Sequence, residues 1–288
     1  MLTPLESYPD LAKTIGVKNL FFKREDLHPY GSHKGRSIPI MIDHYVAKGS
    51  KEFVISSSGN AALAAALHVK KINNQSPIHL DIFVGHHIAP HKLKKLKTLE
   101  DDNIRVLIKE RPLQAVTLAG QEGVTSLRQS TDDIALMGYE ALARELGFIE
   151  GIGAIFIGTS SGTTAQALAA YFIKNQLPIQ VHLVQTSGCH PIADGMEIFD
   201  GRNEDSIADA IVDRTAMRKS KLVPLVKETG GNAWVATNDE IEAAQDMVKK
   251  NTGLDISTNS TLSVVGAMQA AYRGWEFGGA IICMICGE

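Results

Sequence analysis

Short apolar runs rich in β-branched and aromatic residues recur along the chain, with stretches of helical character between them. The runs are NLFFK (19–23), EFVIS (52–56), IHLDIFVG (78–85), IRVLI (104–108), AIFIG (154–158), IQVHLV (179–184), AWVAT (233–237) and AIICMIC (280–286). Each has the length of a buried strand. AALAAALHVKK follows the second run and PHKLKKLKTLE the third, while DIALMGYEALARELG precedes AIFIG and TAQALAAYFIKN follows it. DEIEAAQDMVKKNTG opens with Asp239 and Glu240 and ends at Gly253, which suits the helix dipole and a C-terminal cap. Strands alternating with helices predict an α/β fold of mostly parallel sheets flanked by helices. Right-handed crossovers then collect the loops after the strands on one edge, where open α/β sheets bind ligands. The Gly- and charge-rich stretch 186–232 reads as loops and short helices, and no internal repeat interrupts the pattern.

Composition narrows the function classes. The 288 residues are 44% hydrophobic and 21% charged, an ordinary globular balance with room for a substantial core. A net charge of -3 supplies no basic excess, so nucleic acid is not an expected partner. Pro4, Glu6 and Asp10 interrupt the start where a signal peptide needs apolar residues, and no apolar run approaches the roughly 20 residues that span a bilayer. A cytoplasmic location without membrane contact is the expectation. Cys283 and Cys286 form a C-x-x-C at the end of an apolar run and read as core packing rather than a redox pair. His86, His87 and His91 match no zinc spacing and read as a loop after a strand, so no metal is expected. Lys92, Lys94, Lys95 and Lys97 read as a solvated helix face.

Three segments carry candidate chemistry. In FIGTSSGTTAQALAAYF (156–172) a strand runs into Gly158, Thr159, Ser160, Ser161, Gly162 and Thr163, and an Ala-rich helix follows. Glycines that let successive N–H groups converge, hydroxyl donors and a helix N-terminus make a phosphate cradle. No Lys follows the glycine, so it is not a Walker A loop, and the dinucleotide G-x-G-x-x-G spacing is missing. Taken alone, the segment fits an unliganded helix cap equally well. FVISSSGNAALAAALHV (53–69) repeats the design with Ser57, Ser58, Gly59 and Asn60, whose amides suit a carboxylate and whose Asn can meet a planar ligand group. In LFFKREDLHPYGSHKGRS (20–37) Lys34 stands at a helix start. A desolvated lysine there would supply the neutral amine that Schiff-base chemistry needs, although most lysines are solvated surface charges.

In this order the three segments resemble the fold-type II pyridoxal-phosphate (PLP) enzymes, which include threonine synthase, threonine and serine dehydratases, cysteine synthase and the tryptophan synthase β chain. The family's N-P-T-G-S-F-K-D-R motif is similar to His28-Pro29-Tyr30-Gly31-Ser32-His33-Lys34-Gly35-Arg36, and its S-x-G-N loop to Ser57–Asn60. Its Gly-rich phosphate loop is similar to Gly158–Thr163, and Cys286-Gly287 stands where the family places Ser, Thr or Cys beside the pyridine nitrogen. The resemblance implies two α/β lobes, the smaller spanning 36–124 and the larger combining 1–35 with 125–288, and a homodimer. It implies PLP on Lys34, Asn60 at the cofactor's 3-oxygen, and the substrate carboxylate on Ser57, Ser58, Gly59 and Asn60. It also implies the cofactor phosphate on Gly158, Thr159, Ser160, Ser161, Gly162 and Thr163, with Cys286 keeping the ring nitrogen neutral. Within the family threonine synthase is nearest, so the expected substrate is a small amino acid and the expected reaction a β/γ-elimination or replacement. A serine/threonine dehydratase and a non-catalytic sensor of phosphate ligands are the alternatives, with a nucleotide-binding oxidoreductase last. Gly35 replaces an acid, and Asp255–Ser260 replaces the usual E-P-A-S-A in what reads as a loop after the 239–252 helix. Both departures bear on the substrate.

Overall fold

In the computed structural model, which describes residues 2–73, 77–196, 199, 201 and 204–287, the eight apolar runs form strands. The chain divides into two compact units, 1–28 with 139–288 and Pro29–Gly138.

In the larger unit the strands are β1 (Leu5–Ser7), β2 (Leu20–Arg24), β7 (Ile152–Gly158), β8 (Gln180–Thr186), β9 (Ala233–Ala236) and β10 (Ala280–Ile285), in the order β1-β2-β10-β7-β8-β9. All pairings are parallel except that of β1 with β2. Alternation along these strands sends Phe156 and Val184 to one face, against Gly266 of α10 (Thr258–Tyr272). There α1 (Pro9–Ile15), α9 (Asn238–Thr252) and α10 close an apolar core with Trp234, Leu262 and Ile281. The intervening residues, Ile155, Ile157 and Leu183, are equally buried on the other face, where α7 (Thr163–Lys174) and α8 (Lys219–Glu228) pack together and against β8. His182 is fully buried and stacks on Phe156 with ring centroids 4.4 Å apart. Its Nδ1 accepts from the Trp234 indole at 3.2 Å, and burial pushes its pKa down to about 3.

The smaller unit holds β3 (Glu52–Ser56), β4 (His79–Val84), β5 (Ile104–Ile108) and β6 (Thr125–Ser126), all parallel in the order β5-β4-β3-β6. On one face α2 (Lys34–Ala47), α3 (Asn60–Ile72) and α4 (Pro90–Lys97) cover Phe53, Ile55, Leu80, Ile82 and Val106. On the other, Val116 of α5 (Pro112–Gln121) packs on Val54 and Phe83. The final helix, α6 (Ile134–Gly147), spans the limit between the units. These limits are wider than 36–124. Tyr30 packs against the small-unit cluster, α2 packs on α3, and β6 extends the small sheet beside β3.

The residues after Gly253 depart from the expected loop, because 258–272 is helical. Ser260 through Ala267 are all buried, so α10 shows no polar stripe from which a helical period could be read. Among the described residues no helix is long and apolar enough to cross a membrane.

Candidate functional site

In the smaller unit, position follows from topology. The segment after α2 leads directly into the amino end of β3, so α2 runs opposite to the strands and its first residue, Lys34, lies at the sheet's carboxyl edge. Asn60 opens α3 just past the carboxyl end of β3, at the same edge. Helix α2 starts in a tight turn: Ser32, fully buried, accepts the Lys34 N–H on its Oγ at 3.3 Å and the Gly35 N–H on its carbonyl at 3.0 Å. No side chain caps α3, whereas at α2 the N–H groups of Lys34, Gly35 and Arg36 are already taken by Ser32 and by the His33 carbonyl. Ser57 Oγ accepts the Gly59 N–H at 3.3 Å, and Ser58 is exposed. Ser58 also lines a cleft of about 500 Å³ with Gly85, His86, His87, Ile88 and Glu110, the loops that follow β3, β4 and β5. His86 Nε2 lies 3.5 Å from Glu110 across it.

In the larger unit β7 delivers Gly158–Thr163 to the carboxyl edge. The Thr159 N–H donates to Val184 O at 2.8 Å and its hydroxyl to Ile157 O at 3.0 Å, so both donors are spent inside the sheet. Thr159 therefore shapes the loop rather than offering a donor to an anion. Ser160 Oγ accepts the N–H groups of Val212 and Asp213 at 3.1 and 3.2 Å, which leaves its own proton to donate. The Ser161 and Thr163 hydroxyls are 2.9 Å apart, so only one of their two protons is used between them. Gly162 is the N-cap of α7 at φ +84°, and a Cβ there would stand 2.5 Å from Leu222 Cδ2. No side chain caps α7 either. An uncapped helix head preceded by hydroxyl residues fits a phosphate group, and glycine at 162 lets that head pack against Leu222 and Ile192.

β10 neighbours β7 with Cys283 opposite Phe156, so the register carried three residues on places Cys286 beside Thr159 at the same edge. Gly287 then turns at φ +102°. Its carbonyl accepts from Ser257 Oγ at 2.6 Å and Ser260 Oγ at 3.0 Å, and Ser257 is the N-cap of α10. The divergent 255–260 segment thus fastens the end of the strand that carries Cys286. Cys283 is fully buried against Ser263 O, and burial raises its thiol far above the usual range, which suits core packing. None of the three cysteines is in a disulfide.

Two fastening elements escaped the sequence reading. Ser257 and Ser260 carry the ordinary helix-start signal, a hydroxyl residue before a helix, which would have exposed them. Gln185 had no such signal. It donates to Thr159 O at 3.2 Å and accepts the N–H groups of Ile192 and Ala193 at 2.8 and 2.9 Å, clipping the loop after β8 to the Gly158–Thr163 loop.

A threonine synthase of Methanosarcina acetivorans is 26% identical over 290 residues, covering 94% of this chain and 70% of that protein. One of Mycobacterium leprae is 23% identical over 303 residues, covering 99% and 81%. Among solved structures, a pyridoxal 5'-phosphate-dependent aspartate racemase superposes with a TM-score of 0.84 at 20% identity, covering 100% of this chain and 90% of that one. The processed threonine deaminase isoform 2 of Solanum lycopersicum gives 0.80 at 20% identity, covering 99% and 83%. These structures share the fold-type II architecture. The sequence profile described as "Pyridoxal-phosphate dependent enzyme" matches residues 2–287, and the chain is therefore a member of that family, with pyridoxal phosphate as its cofactor.

Proposed function

We propose that the chain is a threonine-synthase-like lyase that converts O-phosphohomoserine to threonine and phosphate. The observation that carries this reading is the match of 94–99% of the chain to relatives bearing the name threonine synthase. In the reaction phosphate leaves Cγ and water adds at Cβ. PLP, when bound, supplies the electron sink for the negative charge that develops on the substrate carbons.

The chain's own residues do the rest. Lys34 would hold the cofactor through Nζ and would take and return the proton at the substrate Cα. Ser57, Ser58, Gly59 and Asn60, at the uncapped head of α3, would hold the substrate carboxylate, and Asn60 would also help hold the cofactor. Gly158, Ser160, Ser161, Gly162 and Thr163, with the head of α7, hold the cofactor phosphate. Cys286 offers the ring nitrogen no counter-charge, which favours elimination and replacement over transamination.

Borohydride reduction of the PLP-loaded protein followed by peptide mapping tests the cofactor lysine: the adduct is expected on Lys34 and is expected to vanish in Lys34→Ala, with turnover down about 10²–10⁴-fold. Phosphate release from O-phospho-L-homoserine tests the reaction. Keto acid and ammonia from L-serine or L-threonine, with no phosphate release, would replace this reading by the dehydratase one. Binding of phosphate compounds without any turnover would replace it by the sensor.

A further inference from the structure

Lys34 and Asn60 are each the first residue of a helix, and α2 and α3 lie side by side. The apolar seam between them is built from Ile38, Met41 and Ile42 on α2 and from Ala62, Ala65, Ala66 and Val69 on α3. Small alanine side chains allow close approach, but they offer few large knobs to stop one helix sliding or turning against the other. A polar group, His68, spans the seam. His68, on α3 and 5% exposed, has Nδ1 3.0 Å from Tyr30 Oη and Nε2 2.8 Å from Asp43 Oδ1. Tyr30 lies in the turn four residues before Lys34, and Asp43 is on α2.

The hydrogen-bond roles follow from chemistry. A carboxylate only accepts, so Nε2 carries a proton and donates to Asp43; in the neutral ring Nδ1 then accepts from the Tyr30 hydroxyl. Burial and the charge of Asp43 push the Tyr30 pKa up, which keeps that hydroxyl protonated as a donor. One planar ring on α3 thus grips both sides of the Lys34 helix start, the turn before it and the helix body after it.

We propose that His68 is a positioning residue that fixes the heads of α2 and α3 relative to each other, and so sets Lys34 Nζ against the Asn60 amide. The proposal rests on the assignment of those two residues to PLP made above. A displacement of about 1 Å at reacting groups costs on the order of 10²-fold in rate, so a strut of this kind acts on the chemical step more than on substrate affinity. Tyr30, half-buried, matters more than Asp43, which is exposed and regains water when its partner is lost.

The test compares wild type, Tyr30→Phe, His68→Gln, His68→Phe and Asp43→Asn with Val69→Ala. The last removes apolar bulk from the same seam and leaves the strut intact. Three quantities are read on PLP-loaded protein: the induced circular dichroism of the bound cofactor, its dissociation constant by titration, and kcat against KM for whichever substrate is turned over. At equal loss of melting temperature, His68→Phe is expected to weaken the dichroism band and lower kcat about 10–10²-fold with KM little changed. Tyr30→Phe is expected to show a smaller effect of the same kind, His68→Gln a partial restoration, and both Asp43→Asn, whose amide oxygen still accepts from His68 Nε2, and Val69→Ala a wild-type band and kcat. Should His68→Phe not fold, Tyr30→Phe, which loses one hydroxyl, decides alone. A band, affinity and kcat in the His68 and Tyr30 variants that match Val69→Ala would overturn the proposal and leave His68 a core residue. Failure of the underlying assignment reads differently, as a borohydride adduct on a lysine other than Lys34 in wild type.

Discussion

Two loops share one design, a strand running through hydroxyl residues into an Ala-rich helix, and differ in how they are fastened. At 158–163 Thr159 is bonded into the sheet, Ser160 holds the 212–213 backbone, and Gln185 ties the next loop down. The helix that follows is buried through nearly its whole first two turns. At 57–60 the Gly59 N–H reaches Ser57 Oγ at a long 3.3 Å, and Ser58 faces solvent beside an open cleft. The difference matches the proposed occupants. A cofactor phosphate that stays in place is served by a preformed cradle, whereas a substrate carboxylate that enters and leaves each turnover needs a reachable loop.

Acid should separate the two regions most. His182 lies in the core of the larger unit, in register with Phe156 two residues before the cradle. Its pKa falls from 6.5 to about 3 on folding, so the unfolded chain binds a proton that the folded one refuses. The contribution of His182 is full above about pH 6.5 and is lost as the pH falls toward 3, at a limiting slope of about 1.4 kcal/mol per pH unit. Thermal melts across this range should show a steep acid limb in wild type and a shallower one in His182→Phe, whose neutral-pH stability is lower because the Trp234 bond is gone. An unchanged slope would mean that the acid sensitivity lies elsewhere.

Glycine replacement sharpens the contrast at the loops themselves. Gly162→Ala forces a side chain into the left-handed region and against Leu222, which should cost about 1–3 kcal/mol and weaken PLP binding in a spectrophotometric titration. Gly59→Ala, at φ -129° with nothing within 4 Å of the added Cβ, should change stability by less than about 1 kcal/mol. Equal losses would break the comparison. The smallest expected effects come from the serines. Ser160→Ala frees two backbone N–H groups near exposed Val212 and should cost about 0.5–1.5 kcal/mol. Ser58→Ala should leave the melting temperature alone and raise the substrate KM by a factor of about 2–10.

Much of this was legible in the residues. EFVIS and IRVLI become strands over the residues read from the sequence, because a short, bounded run of β-branched and aromatic residues has few other ways to bury itself. Gly253 caps α9 in the left-handed conformation, as acid at one end and glycine at the other suggested. Helix α10 was hidden by the unbroken burial of Ser260–Ala267, and β6, two residues long, by its brevity. At the candidate site the turn-making glycines Gly158 and Gly162 stood out by local pattern, whereas Lys34 came forward only through the resemblance carried by the three segments together. The fastening of Thr159, the Gln185 clip and the His68 strut depend on side chains far apart in sequence, and no window along the chain contains them.

The place of β10 has a bearing on how the chain is made. It is inserted between β2 and β7, pairing Ile281 with Leu20 on one side and Ala154 on the other. The segment Pro29–Gly138 is continuous and can complete its own sheet as soon as it leaves the ribosome. The larger sheet, by contrast, keeps a gap at its centre until β10 is synthesised, long after β2 and β7, whose apolar edges wait for a partner. Contacts of such sequence separation form slowly, and those two waiting edges are where a nascent chain would first call on a chaperone.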